Sequence, residues 1–312
     1  MPSHADQLVF VGGTGRSGTH VLARLLGRHS RYRDVEIEAR FHCNPRGFPD
    51  LLAGEVTLDE FMRKLRSFWW HRIKAGEPFP ALLPRLPLGR EERGLYKIVP
   101  RERFDAAAAS FEAAYPAGPL AACGRLFCDL LGPLAEQAGK PGLVEMSSDN
   151  VAAGPTLLRV FPTAKLIHTV RDGRDAGASK VTKRQKRDHP RDGLGGIEWW
   201  EQRLRRIDAA VREIPPDSLL VTSLDELAFG DREDAYGRLL AFLELEDEPG
   251  IRDYFEREVT AENAHRDRWR DGLTPDAQEK LRRFYEQTLD RMAGDRVHCA
   301  PELLRTYERA GA

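Results

Sequence analysis

The stretch LVFVGGTGRSGTHVLA, which spans Leu8 to Ala23, is the most informative segment of this chain. Its first residues, Leu8 to Val11, are apolar and partly β-branched, which predicts a buried strand over residues 8–12. A glycine-rich turn follows, and from Thr19 the apolar residues recur with helical spacing, which predicts a helix over residues 19–29. A strand, a glycine turn and a helix N-terminus in this order form an anion site, because glycines let backbone N–H groups face inward and the helix start leaves donors unpaired. The stretch therefore predicts a phosphate-binding loop, and a βα turn that binds nothing is the alternative.

The residues of this turn differ from those of a nucleoside-triphosphate loop. Such a loop reads G-x-x-x-x-G-K-[ST], with the Lys on the β- and γ-phosphates and the hydroxyl on Mg²⁺. Here Gly13 is followed after four residues by Gly18, and Thr19 and His20 stand where the Lys and the hydroxyl residue are expected. The cation stands earlier, at Arg16, inside the glycine turn.

A second segment, AKLIHTVRDGRDAGASKV at Ala164–Val181, also contains a predicted strand that is followed directly by polar residues. Lys165 to Val170 has an apolar centre, which predicts a strand, and the small residues from Asp172 onward predict a short helix. Arg171 stands at the end of that strand, and Ser179 follows eight residues later. An ordinary βα connection with a solvated Arg is the alternative interpretation.

The two segments together resemble the sulfotransferases that use 3′-phosphoadenosine 5′-phosphosulfate (PAPS). In that family a Lys or Arg followed by Ser-Gly-Thr holds the 5′-phosphosulfate, and the run that begins at Arg16 matches this pattern. An Arg at a strand end and a later Ser clamp the 3′-phosphate, and Arg171 and Ser179 match that spacing. Arg suits this task because its planar fork binds phosphate oxygens bidentately. Gly15 stands where many members carry Pro, which loosens the turn.

Other segments resemble the tyrosylprotein sulfotransferases and their bacterial relatives. These segments are FPTAKLIHTVRDGR at Phe161–Arg174, SLLVTSLDEL at Ser218–Leu227 and the helix expected at Tyr236–Leu245. The run His265–Arg270 resembles the mobile loop that closes over the nucleotide. In that run Trp269 either stacks on adenine or packs against a helix, and a flanking Arg meets the 3′-phosphate.

The resemblance implies PAPS as the donor, with 3′-phosphoadenosine 5′-phosphate (PAP) as the product, and it implies that no metal ion is required. The residues expected to bind the cofactor are Gly15, Arg16, Ser17, Gly18, Thr19, His20, Arg171, Ser179, Arg268, Trp269 and Arg270.

Sulfuryl transfer needs a held donor, charge relief at the leaving phosphate and a base for the acceptor. We expect Arg16 to stabilise charge on the bridging oxygen. Glu36 and Glu38 lie 20 and 22 residues after Arg16, close to the separation at which similar enzymes carry a catalytic Glu. Glu38 is the first candidate base, with Glu36 and His42 in reserve. The alternative is that both carboxylates are solvated charges on a short strand over residues 35–39.

The chain departs from the tyrosylprotein sulfotransferases at one strand end. Those enzymes have a Lys there that assists the sulfuryl group, and the matching stretch Glu145–Asn150 has none. Ser147 or Asp149 in this stretch is a candidate contact for the acceptor. Three cations are candidates to replace the Lys: Lys97, Arg101 and Arg40.

Strands that alternate with helices predict a parallel sheet between two helical layers. We expect a three-layer α/β fold like that of the P-loop NTPases, as a single domain over residues 1–312. A mainly helical insertion over about residues 40–140 would shape the acceptor site. Within it, Thr57 and Glu60 form a capping box, and the apolar stripe that follows predicts core packing or an acceptor pocket.

Composition limits the function further. The chain of 312 residues is 41% hydrophobic with a net charge of −1, which argues against bulk nucleic-acid binding or membrane attraction. No apolar run is long enough to span a membrane, and Met1–Gln7 lacks the apolar core of a signal peptide. The four cysteines form no C-x-x-C pair, which favours reduced thiols in the cytoplasm over a zinc site.

The basic run Lys180–Arg187 is either a solvated helix face or an electropositive rim. The oligomeric state stays open.

The sequence therefore predicts a cytoplasmic sulfotransferase that moves a sulfuryl group from PAPS, by in-line transfer, to a hydroxyl or amine of a small molecule, sugar or peptide. One alternative is a phosphotransferase or NTPase of the P-loop class, with Glu145 or Asp172 as the Mg²⁺ carboxylate. A non-catalytic nucleotide-binding protein on the same fold is the other.

Overall fold

The computed structural model describes residues 7–74, 91–182 and 190–311. Five strands form a parallel sheet in the order β2-β5-β1-β6-β7, and β3 and β4 form a separate antiparallel pair. The strands in chain order are β1 (Leu8–Gly12), β2 (Tyr32–Asp34), β3 (Arg72–Lys74), β4 (Glu91–Arg93), β5 (Gly142–Glu145), β6 (Lys165–Val170) and β7 (Leu219–Ser223).

Helices connect the strands and cover the sheet on both faces. In chain order they are α1 (Thr19–Leu26), α2 (Phe48–Leu52), α3 (Leu58–Lys64), α4 (Arg101–Ala114), α5 (Pro119–Gln137), α6 (Gly154–Val160), α7 (Gly173–Val181), α8 (Gly193–Val211), α9 (Leu224–Ala228), α10 (Arg232–Leu243), α11 (Pro249–Glu258), α12 (Pro275–Gly294) and α13 (Ala300–Gly311). A single π-helical turn, Leu65–Trp69, extends α3.

The alternation of side chains along β1 builds two cores. Leu8 and Phe10 point into a cluster that α4, α5 and α6 complete, whereas Val9 and Val11 point into a cluster formed with α1, α10 and α11. Residues two apart on a strand share a face, so one apolar strand can serve both layers. The expected three-layer α/β fold with a central parallel sheet is therefore confirmed.

The predicted elements agree with the structure for the main strands and for most helices. The strand at residues 8–12 is confirmed, and the helix predicted over 19–29 ends at Leu26. The capping box is also confirmed, because the Thr57 hydroxyl accepts from the Glu60 N–H at 3.2 Å while the Glu60 carboxylate accepts from the Thr57 N–H at 2.9 Å. The apolar stripe that follows is buried at Phe61 but exposed at Phe68.

Three features of the insertion and its entrance differ from the sequence-based expectation. The strand of this region is β2, and the strand weighed for residues 35–39 is wrong, because the Ala39 N–H donates to the Glu145 side chain instead of to a neighbouring strand. The hairpin of β3 and β4 and the π-helical turn were not expected. Most of the basic run Lys180–Arg187 lies outside the described residues.

Within the described ranges, we found no helix with the length and apolar character that a membrane span requires.

Candidate functional site

The turn after β1 forms a cradle of backbone donors. Gly15, Arg16 and Gly18 all have left-handed φ angles, of 78°, 63° and 94°. The N–H groups of residues 14–18 donate no hydrogen bond to any described residue, and the Ser17 hydroxyl is buried without a partner. A Cβ at Gly13 would lie 2.4 Å from Ser17 Oγ, so only glycine fits there. The turn therefore has the form of an anion-binding loop.

The start of α1 continues this loop. Thr19 is its first helical residue and is buried, whereas the next residue, His20, is exposed. Partial desolvation and the cations Arg24 and Arg16 lower the pKa of His20, because each of them disfavours the imidazolium.

The structure brings Arg16, Arg171 and Ser179 together. Arg16 Nε donates to Ser179 Oγ at 2.8 Å, although these residues are 163 positions apart. Arg171 Nη1 donates to the Arg16 carbonyl at 3.4 Å. The two segments singled out in the sequence therefore meet at the carboxyl ends of the adjacent strands β1 and β6, where ligands bind in open α/β sheets.

Positive charge is concentrated at this loop. Desolvation, then Arg171, Arg268 and Arg93, lower the pKa of Arg16, because the neighbouring cations repel its charge. No described carboxylate forms an ion pair with Arg16. Arg268, expected from the resemblance, thus lies near the loop, whereas Arg93 was missed because nothing in the sequence indicated the hairpin that carries it.

The segment before Arg268 packs onto Arg171. Arg171 Nη2 donates to the carbonyls of Ala264 and His265, at 2.5 Å and 3.1 Å. Its Nε is buried and has no acceptor among the described residues. One donor of this guanidinium is thus left for a ligand.

Trp269 lies in the core. The Asp175 carboxylate accepts from the backbone N–H of Asp267 at 3.1 Å and of Trp269 at 3.0 Å, which fastens the segment to α7. The Trp269 side chain is 4% exposed, and the guanidinium of Arg174 lies 4.7 Å from its ring centroid. Of the two interpretations of Trp269, this position matches packing and not adenine stacking. Arg270 is exposed and forms an ion pair with Asp267 at 3.4 Å.

The three candidate bases occupy different environments. Glu36 is exposed and pairs with Arg33 at 2.5 Å. Glu38 is half-buried, and its carboxylate contacts the guanidinium of Arg40. His42 is fully buried, so the substrate that accepts the sulfuryl group has no access to its ring. Of the three, only Glu38 is partly buried and still accessible to solvent.

Glu145 is a buried carboxylate that holds this region together. From the sequence it was considered only as a ligand of Mg²⁺. Its two oxygens accept five hydrogen bonds, from the N–H groups of Ala39 and Ser147, the Ser147 hydroxyl, the His42 ring and the Asn150 amide. Burial alone would raise its pKa, but His42 and Ser147 outweigh burial and lower the pKa of Glu145 to about 2. Its oxygens are fully used, so Glu145 does not fit the Mg²⁺ role weighed for a phosphotransferase.

Of the three cations considered as replacements for the missing Lys, Arg40 contacts the Glu38 carboxylate. Lys97 is exposed on the insertion, and Arg101 pairs with Asp105 at 2.8 Å. In the stretch that lacks the Lys, Asp149 pairs with Arg203 at 2.5 Å. The stretch Glu145–Asn150 itself therefore supplies no positive charge.

A second buried carboxylate, Asp225, binds the backbone of the segment that follows Arg171. It is buried at the start of α9, and its Oδ2 accepts from the Asp172 N–H at 2.6 Å. Burial, and then repulsion from Asp172, raise the pKa of Asp225 to about 7 against the opposing effect of Arg171. Asp172 caps α7 and binds Arg174 at 2.6 Å, so it too is used within the protein.

No cluster of three or more His, Cys, Asp or Glu side chains suited to a metal ion occurs in the three described ranges.

A parallel α/β sheet with a cationic, donor-rich loop at the carboxyl ends of its central strands is typical of proteins that bind a phosphorylated ligand. Residues 8–249 match the model of the sulfotransferase family, and the chain belongs to that family. It is therefore a sulfotransferase, and no comparison supports a phosphotransferase or a non-catalytic protein.

Two solved structures show the same fold. The sulfotransferase domain of the olefin synthase from Synechococcus PCC 7002 is 17% identical with a TM-score of 0.50, over 90% of this chain and 93% of that one. The sulfotransferase domain from the curacin biosynthetic pathway is 16% identical with a TM-score of 0.52, over 91% of this chain and 98% of that one. No curated protein sequence matches at a significant level.

Proposed function

We propose that this enzyme transfers a sulfuryl group from PAPS to a hydroxyl or amine acceptor. The observation that carries the proposal is the hydrogen bond from Arg16 to Ser179, which joins the two expected phosphate sites into one cationic surface. The N–H groups of residues 14–18 and the buried donor Arg171 Nε have no acceptor among the described residues. A ligand with two separated anionic groups would satisfy both sets.

The residues present fit PAPS at each of its phosphates. The N–H groups of the loop, the Ser17 hydroxyl and the N-terminus of α1 would hold the 5′-phosphosulfate. Arg171 and Ser179 would hold the 3′-phosphate, with Arg268 as a further cation. When bound, PAPS supplies the sulfuryl group, whose sulfur–oxygen bond to the phosphate breaks as a bond from sulfur to the acceptor atom forms.

The sheet order arranges the reacting groups in a row. Reading across the carboxyl edge, Arg171 follows β6, the loop follows β1, and Glu38 lies a few residues after β2, with β5 between. Arg16 stabilises the negative charge that develops on the leaving phosphate oxygen. Glu38 takes the proton that the acceptor hydroxyl or amine loses, and Arg40 holds its carboxylate in position.

The acceptor would be a small molecule, a sugar or a peptide, bound against the insertion at about residues 40–140. We propose that the chain works as one domain over residues 1–312. The four cysteines are buried and unpaired, which supports work in the reducing cytoplasm.

The proposal is tested by PAP release from PAPS with a panel of phenols, sugars, amines and tyrosine peptides. Once an acceptor is found, Glu38→Gln should lower kcat by about 100-fold or more, the scale of a lost general base. Glu36→Gln is the matched control, because Glu36 lies two residues away but is exposed, and it should keep the wild-type rate. Equal rates for Glu38→Gln and wild type would show that Glu38 is not the base. No transfer to any acceptor, and no PAP binding, would refute the activity itself.

A further inference from the structure

The four residues after Met146 are all polar, and three of them are committed to the protein. Ser147 and Asn150 bind the buried carboxylate that anchors this region, and Asp149 pairs with Arg203 at 2.5 Å. The hydroxyl of Ser148 makes no hydrogen bond to any residue that the structure describes, and this side chain is partly exposed. Ser148 thus offers a polar group that the fold does not use.

Ser148 lies against the phosphate loop. Its carbonyl accepts from the Gly13 N–H at 3.0 Å, which fixes the segment after β5 to the loop after β1. A Cβ built on Gly15 would lie 3.9 Å from Ser148 Cβ, so the Ser148 side chain is in van der Waals reach of the turn beside Arg16. The parallel pairing of β1 with β5, from Leu8 with Leu143 onward, makes this contact a consequence of the fold.

The sheet order says which part of the ligand reaches Ser148. The 3′-phosphate residue Arg171 follows β6, the loop follows β1, Ser148 follows β5, and Glu38 follows β2. Adjacent strands are about 4.8 Å apart, so these groups form a row along the edge. The transferring group has to lie between the phosphate held by the loop and the base, which is where Ser148 stands.

We infer that Ser148 is a further catalytic residue, whose hydroxyl donates a hydrogen bond to a non-bridging oxygen of the sulfuryl group. This inference rests on the proposed function. The proton stays on Ser148 throughout, and no bond of this residue breaks. Because a hydroxyl is a neutral donor, compensation of the developing charge on the leaving oxygen stays with Arg16.

Binding measurements test the inference without an acceptor, because PAPS and PAP differ only in the sulfuryl group. In calorimetric titrations, Ser148→Ala should weaken PAPS binding by about 10-fold or more, the cost of one hydrogen bond to a charged group, and leave PAP binding unchanged. Ser148→Thr, which keeps a hydroxyl, should retain PAPS affinity. Ser110→Ala, the same change at an exposed position of α4, should alter neither affinity.

Three outcomes are distinguishable. Selective loss of PAPS affinity in Ser148→Ala, with the thermal midpoint of unfolding unchanged, supports the inference. Wild-type affinity for both ligands, or an equal loss for both, overturns it, because the hydroxyl would then contact nothing or only the shared phosphate. If wild-type protein binds neither ligand, the proposed function fails first and the role of Ser148 fails with it.

Discussion

Replacing Asp225 by Asn should change how the stability of this protein depends on pH. The pKa of Asp225 rises from 3.8 to about 7 in the folded chain, chiefly because the carboxylate is buried. Between these values the folded chain keeps a proton that the unfolded chain releases, so the free energy of unfolding falls as pH rises. One proton corresponds to about 1.4 kcal/mol per pH unit, and because the folded carboxyl is itself half-ionised near pH 7, the free energy of unfolding falls by roughly 2.3 kcal/mol between pH 5 and pH 7.

Asn removes this dependence and keeps the local structure. Its amide oxygen replaces the carboxyl oxygen that accepts from the Asp172 N–H at 2.6 Å, and it does not ionise. Urea unfolding at pH 5, 6, 7 and 8 should show that Asp225→Asn gains stability relative to wild type with increasing pH, until the difference levels off above about pH 7. Asp253→Asn, the same change on the exposed face of α11, is the control and should give a constant difference. A pH-independent difference for Asp225→Asn would mean that the folded chain does not hold the Asp225 proton in this pH range.

Three further substitutions test the loop after β1, the buried carboxylate of Glu145 and the cap of α3. Arg16→Ala should lower turnover of PAPS by about 100-fold or more in a steady-state assay, as expected for the loss of a group that stabilises a developing oxyanion; a rate near wild type would remove Arg16 from the mechanism. Glu145→Gln places an amide N–H₂ among five converging donors and should lower the free energy of unfolding by about 3 kcal/mol, and an unchanged urea midpoint would contradict the network. Thr57→Ala removes a helix cap and should cost about 1 kcal/mol in the same measurement, whereas no loss would mean that the capping box is not stabilising.

The turn after β1, its flanking strand and helix, and the strand β6 were predictable because their signals are local. Apolar residues before the turn, glycines within it and helical spacing after Thr19 each reflect the conformation of a few neighbouring residues. The separation of Arg171 from Ser179 is likewise set within one strand and helix. Their contact with Arg16 follows from the sheet order, which the alternation of strands and helices indicates but does not specify.

The hydrogen-bond network around Glu145 was not predictable, because its members are distant from one another in the chain. Glu145 gains its role from donors on Ala39 and His42, more than 100 positions away in the chain. The sequence pattern of a carboxylate at a strand end is the same whether that carboxylate binds a metal ion, the acceptor substrate or a network of buried N–H groups. The burial of His42 and Trp269 depends in the same way on elements that pack from distant parts of the chain.

We expect this enzyme to bind a 3′-phosphorylated adenine nucleotide through Arg16, Arg171 and Ser179. The most direct measurement is thermal unfolding of wild type and Arg171→Ala with PAP, beside ATP, ADP and AMP, with and without Mg²⁺. At about 100 times its Kd, PAP should add roughly 2.7 kcal/mol to the stability of wild type, a shift of several degrees. We expect this shift without Mg²⁺, and we expect Arg171→Ala to lose it. A shift with ATP alone, and only with Mg²⁺, would mean that the site binds a nucleoside triphosphate and not PAP.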